Sequence, residues 1–177
     1  MTPHSAALLA RYNRWMNERL FEAAGKLAEA ELAADKGAFF GSVLGTLNHI
    51  AAADTIWLHR FAGHPARFAA LRELAEFPRP SSLRESIAPN LAGLLAYRQR
   101  LDGLITRWVA ELTPAHLASS LAYANMAGVS SSRNFGDVLQ HFFNHQTHHR
   151  GQASTLLFQS GVDVGVTDLL ALIPGDA

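Results

Sequence analysis

The chain has 177 residues, 49% of them hydrophobic and 17% charged, which suits one globular domain spanning 1–177 with a sizeable core and argues against disorder. Fifteen Lys and Arg balance fifteen Asp and Glu, so no surplus of positive charge exists to hold nucleic acid. Cysteine is absent, which excludes disulfides, thiolate metal sites and a cysteine nucleophile.

Met1-Thr2-Pro3-His4 does not read as a signal peptide and no apolar run approaches membrane-spanning length. A cytoplasmic location without a membrane partner is the expectation. Thr2-Pro3 is a helix start, a hydroxyl cap followed by proline at the first helical position, and Leu8, Leu9, Tyr12, Trp15, Met16 and Leu20 continue at helical spacing to about Lys26. Glu29 to Phe40 reads as a connection. A second helix is expected from Ser42 to Ala62, with Val43, Leu47, Ile50, Trp57 and Phe61 on its apolar face. His64 to Pro80 carries three prolines and reads as a long crossover with at most a short helical turn.

Ser82-Leu83-Arg84-Glu85 has the capping-box pattern and predicts a third helix reaching Leu112, with a kink or break at Pro89. Between Leu117 and Phe135, small polar and apolar residues alternate around Asn125-Met126-Ala127-Gly128, which predicts a short hairpin or irregular insert. Asn134 or Asp137 can cap a fourth helix that runs to Ser160 and closes at Gly161. The remainder reads as an irregular arm. Four long helices and one long crossover give an all-α fold, a four-helix bundle.

Nine histidines are present, and His141, His145, His148 and His149 fall within one nine-residue stretch. With about 100° per residue and Val138 at zero, the apolar residues of the fourth helix fill an arc from about 0° to about 140°. On the same count His149 falls at about 20° and His145 at about 340°, at the edge of the core. His141 and His148 lie at about 300° and about 280°, out on the flank. His145 and His149, at i and i+4, project side by side and form a two-point clamp for a cation; two ligands alone make a weak site. On the second helix, His49 flanks the apolar stripe beside the small Ala53, and His59 is expected to face solvent. Geometry mildly prefers His49 as the third ligand.

Asn48-His49, followed by Asp54 and Trp57-Leu58-His59-Arg60, resembles the second helix of the DinB family. Asn144-His145-Gln146-Thr147-His148-His149-Arg150-Gly151-Gln152 resembles that family's H-x-x-H-H-R-G-Q helix, a more specific match. Tyr12-Asn13-Arg14-Trp15 and Thr167-Asp168-Leu169-Leu170 extend the resemblance over nearly the whole chain. It implies an up-down-down-up four-helix bundle, a homodimer, and one divalent metal ion (nickel, zinc or iron) held by three histidines. Carried over by position, these are His49, His145 and His149.

Three imidazoles leave room on a metal for water or substrate, the arrangement of a catalytic site. The resemblance implies a metal-dependent enzyme acting on a small molecule, either an S-transferase using a low-molecular-weight thiol such as bacillithiol or mycothiol, or a hydrolase. The alternative is a non-catalytic, stress-related protein that binds a metal or small molecule. No catalytic general base is identifiable. Gln152, one turn beyond His149, either bonds a bound water or substrate or is simply solvated. Asp54, inside the apolar stripe, is expected to bond Trp15 or Tyr12, or to accept a proton. Arg150 lies inside the apolar arc and either pairs with a buried acid or marks a dimer contact. Trp15, Trp57 and Trp108 read as core or dimer packing.

Overall fold

The structure, a computed structural model, describes residues 1–175. Helix α1 (Pro3–Ala24) starts as its sequence dictates: the Thr2 hydroxyl accepts from the Ser5 amide, and Pro3 occupies the first turn. A short helix, α2 (Glu29–Ala33), forms inside the expected connection and buries Leu32. Helix α3 (Val43–Phe61) is capped by Ser42, whose Oγ accepts from the Gly45 amide at 3.0 Å. Gly45 lies against the Phe40 carbonyl so closely that no Cβ fits, which lets the preceding loop fold back over the helix. A 3₁₀ turn (Ala70–Glu76) interrupts the crossover.

Helix α4 (Leu91–Val109) begins later than expected, and its cap is Asn90. Pro89 keeps the residue before it out of helical geometry, so the helix nucleates only beyond it. The Ser82–Glu85 pattern closes a local loop instead of a helix: the Glu85 carboxylate accepts from the Ser81 amide and hydroxyl at 2.7 and 2.6 Å. A five-residue helix, α5 (Pro114–Ala118), adds to the expected elements. The expected hairpin is present, with β1 (Ser120–Ala124) antiparallel to β2 (Ser130–Asn134) and Ser120 opposite Asn134. Asn134 then caps α6 (Phe135–Gln159), and Gly161, at φ 80°, turns the chain away. The arm returns along α1, where the Tyr12 hydroxyl donates to the Thr167 carbonyl at 2.6 Å.

The fold is thus mostly helical with one small two-stranded sheet. Helix α1 packs on α4 and α6, and α3 packs on the same two. Two apolar clusters form the core. One gathers Ala6, Phe61, Trp108, Phe135 and Phe142; the other gathers Leu20, Leu47, Leu94 and Leu157. Between them along the helices lies a buried polar layer of Asn13, Asn17, Asp54, Arg98, Asp102, Gln146 and Arg150. Among the described residues, no helix is long and apolar enough to cross a membrane.

Candidate metal centre

The packing of α3 on α6 brings His49 to the edge of α6 where His145 and His149 project. Their ring centroids lie 5.2 and 4.3 Å from that of His49, and 4.3 Å from each other. Among the described residues this is the group of three side chains able to hold a metal ion, with ligand atoms all within 4.8 Å of one another.

Each ring is oriented by its neighbours. The Nδ1 of His49 lies 2.9 Å from the Leu83 carbonyl, which can only accept, so the proton sits on Nδ1 and Nε2 carries the lone pair. That Nε2 is buried with no hydrogen-bond partner among the described residues. Asn48 fastens the same loop five residues further on. The Asn48 Nδ2 donates to the Ala88 carbonyl at 3.2 Å and its Oδ1 accepts from the Ala88 amide at 3.0 Å, pinning segment 83–88 over α3. On α6, His149 Nδ1 donates to the Gln152 Oε1 at 2.7 Å, which turns the His149 Nε2 lone pair inward. That nitrogen sits 3.1 Å from the Nε2 of His145. Two lone pairs so placed either share one proton or turn together to a cation.

Burial keeps all three rings neutral at physiological pH. It pulls His49 down to about 4, assisted by His149 and Arg84 and opposed by the Leu83 bond. Burial likewise pulls His145 down to about 3, with further depression from His149 and His49. His149 is lowered by burial too, less its bond to Gln152. Neutral imidazoles with inward lone pairs, one of them orphaned, fit a divalent metal ion.

A wall of side chains surrounds the centre. Phe40 stacks on the His49 ring at 3.7 Å, nearly parallel, and meets His149 edge-on at 5.5 Å. Arg84 lies over the Phe40 ring at 5.3 Å. On the opposite side His141 stands 6.0 Å from His145 and 5.3 Å from Trp57, ring to ring. Beyond it opens a cleft of about 550 Å³ walled by Trp57, Tyr123, Arg133, Asp137, Val138 and His141.

A model of the DinB family matches residues 1–175. The chain belongs to the DinB family. No curated protein matches it. The motif residues that carried the DinB resemblance now have physical roles: Asn48 fastens the segment that orients His49, and Gln152 orients His149.

Several expectations need correction. Asp54 bonds neither Trp15 nor Tyr12; its Oδ2 accepts from Arg98 at 2.6 Å and from Gln146 at 2.8 Å. Burial raises its carboxyl to about 6, opposed by Arg98. Among the described residues Arg150 has no direct carboxylate partner: it donates to the Asn13 Oδ1 and to the Thr147 hydroxyl, and its guanidinium lies 5.2 Å from the Tyr12 ring. Nor does it face outward, being buried in the polar layer. His59 is half-buried and bonds the Phe77 carbonyl at 2.8 Å. Of the three tryptophans, Trp108 is core, Trp15 lies half-buried on α1, and Trp57 lines the cleft. Gln152 is neither merely solvated nor aimed at substrate, because both ends of its amide are engaged: its Nε2 lies 3.3 Å from the His148 Nε2. Sequence reasoning missed Phe40, Leu83 and the Arg98–Asp102 pair. The last left a signal: Asn13/Asn17, Arg98/Asp102 and Gln146/Arg150 are polar i, i+4 pairs interrupting otherwise apolar stripes.

Proposed function

We propose that His49, His145 and His149 hold one divalent metal ion, nickel, zinc or iron, and that the protein is a metal-dependent enzyme of the S-transferase or hydrolase type. The observation that carries this reading is the convergence of neutral imidazoles, their Nδ1 protons engaged elsewhere at His49 and His149, beside an open cleft. Three protein ligands leave a coordination position free, whereas a structural zinc site is closed by four. When bound, such a metal supplies a lowered pKa to a water or thiol placed on it.

The chain's own residues do the rest. Leu83 and Gln152 hold the tautomers of His49 and His149. Phe40 covers the His49 ring and keeps bulk water from that side. Trp57 and His141 form the passage by which a small substrate, such as a low-molecular-weight thiol, reaches the centre. The up-down-down-up order of the four long helices belongs to the same reading. It is supported by the first apolar cluster, which draws on the early turns of α1 and α6 and the late turns of α3 and α4. A homodimer, by family resemblance, and the cytoplasmic location expected from the sequence complete the proposal.

The test is a screen for thiol conjugation to electrophiles and for ester or amide hydrolysis, run on metal-loaded, chelator-treated and His145→Ala protein. Activity in the loaded protein alone is expected. Turnover that ignores both chelator and substitution would remove the metal-dependent reading. Metal uptake without turnover of any panel substrate would favour the non-catalytic binding protein.

A further inference from the structure

The cleft beside the centre is lined by charged as well as aromatic side chains. Arg133 and Asp137 line it together, yet neither enters an ion pair with the other or with any other described residue. Arg133 stands on strand β2 and Asp137 in the first turn of α6, both exposed to the cleft. A ligand bearing both a carboxylate and an ammonium satisfies the two at once. The rest of the wall is aromatic: Trp57 and Tyr123 rings lie 5.3 Å apart, with Arg60 stacked over both at 4.4 and 5.3 Å, which stiffens them.

Register along α6 sets the direction. Asp137, His141, His145 and His149 follow one another at i, i+4 spacing and so form one stripe. Asp137 and His145 are eight residues apart, about 12 Å along the helix axis. A ligand whose charged head lies at Asp137 and Arg133 can therefore run its side chain along Trp57 and past His141 to the histidine centre.

We propose that this cleft is a subsite for a zwitterionic, α-amino-acid-type molecule with an apolar side chain, held by Arg133 at the carboxylate and Asp137 at the ammonium. The inference rests on the metal-centre reading only for the end of the ligand that reacts. Binding of the head does not require the metal.

The test uses the full chain, stripped of metal by chelator and dialysed so that no probe can chelate an ion. L-Phenylalanine, phenethylamine (no carboxylate) and hydrocinnamate (no amine) are titrated while the indole signal of Trp57 is followed by NMR. L-Phenylalanine is expected to bind about tenfold or more tighter than either partial probe, the worth of one charge-assisted hydrogen bond. Arg133→Gln should reduce L-phenylalanine to the level of phenethylamine, and Asp137→Asn to the level of hydrocinnamate. Both side chains are exposed, so unchanged melting temperatures will show that the variants fold. Equal affinity of the three probes, or indifference to both substitutions, would overturn the proposal. Elemental analysis separates the two readings: a protein that takes up no metal but binds L-phenylalanine in this pattern upholds the subsite and refutes the centre.

Discussion

Replacing His149 by alanine tests the centre directly. The substitution removes one of three converging nitrogens, the one 3.1 Å from His145 Nε2, and unlinks Gln152 from the site. A ligand that binds only the folded state at a hundred times its Kd stabilises it by about 2.7 kcal/mol. For a chain of this size each kcal/mol moves the melting temperature by about 2–4 °C, so zinc at that excess should raise the wild-type Tm by about 5–11 °C. Losing a supporting hydrogen bond to a metal ligand already costs about 10–100-fold in affinity, so losing a ligand should cost about a hundredfold or more. At the same zinc concentration the variant would then retain about 0.4 kcal/mol, a shift of about 1–2 °C. Calorimetric scans with and without zinc read the difference, and any packing cost of the missing ring cancels because it appears in both scans. His148→Ala is the control, since that ring is exposed and outside the cluster. An equal zinc shift in His149→Ala and wild type would refute the assignment, whereas His148→Ala, which reaches the site only by way of Gln152 and His149, should keep most of the shift.

Gln152→Ala should leave the metal-free Tm within about 2 °C of wild type, as expected for a half-buried surface substitution, while weakening zinc binding by about 10–100-fold, measured by competition with a chromophoric chelator. Arg98→Met should destabilise the fold by about 3–5 kcal/mol in urea titration, because it strands Asp54 and Asp102, its partners at 2.6 and 2.8 Å, inside the polar layer. The deficit should shrink toward pH 5, since burial already raises both carboxyls and protonation relieves the stranded charge. In the metal-free protein, His49 and His145 titrate near 4 and 3, below their ordinary value of 6.5, so the unfolded chain binds more protons than the folded one across that window. Their contribution is therefore complete above pH 6.5 and is lost as pH falls through about 4 and then 3; urea midpoints between pH 7 and pH 4 that fail to decline would contradict the burial of these rings.

What the linear chain determined by itself was local. Helical periodicity, the Thr2, Ser42 and Asn134 caps and the Gly161 stop are interactions within a few residues, so they could be read from order alone, as could the hairpin before α6. The pair His145 and His149 belongs to the same class, because i, i+4 spacing on one helix sets their neighbourhood before any other element arrives. Ser82–Glu85 shows the limit of such signals: the same residues that can cap a helix close a loop when Pro89 stops helix growth beyond them.

Tertiary packing decided everything that spans helices. On α3, helix geometry only mildly preferred His49 over His59 and the family motif named it; the docking of α3 on α6 is what sets its ring beside His145 and His149. Asp54 finds its partner 44 residues away in Arg98, and His49 finds its orienting carbonyl 34 residues away at Leu83. Such pairings follow from where apolar stripes bury themselves, and a stripe's own residues state that it must be buried without stating against what. The three histidines named by the family motif thus acquired their mutual geometry, their tautomers and their neighbouring cleft from the fold.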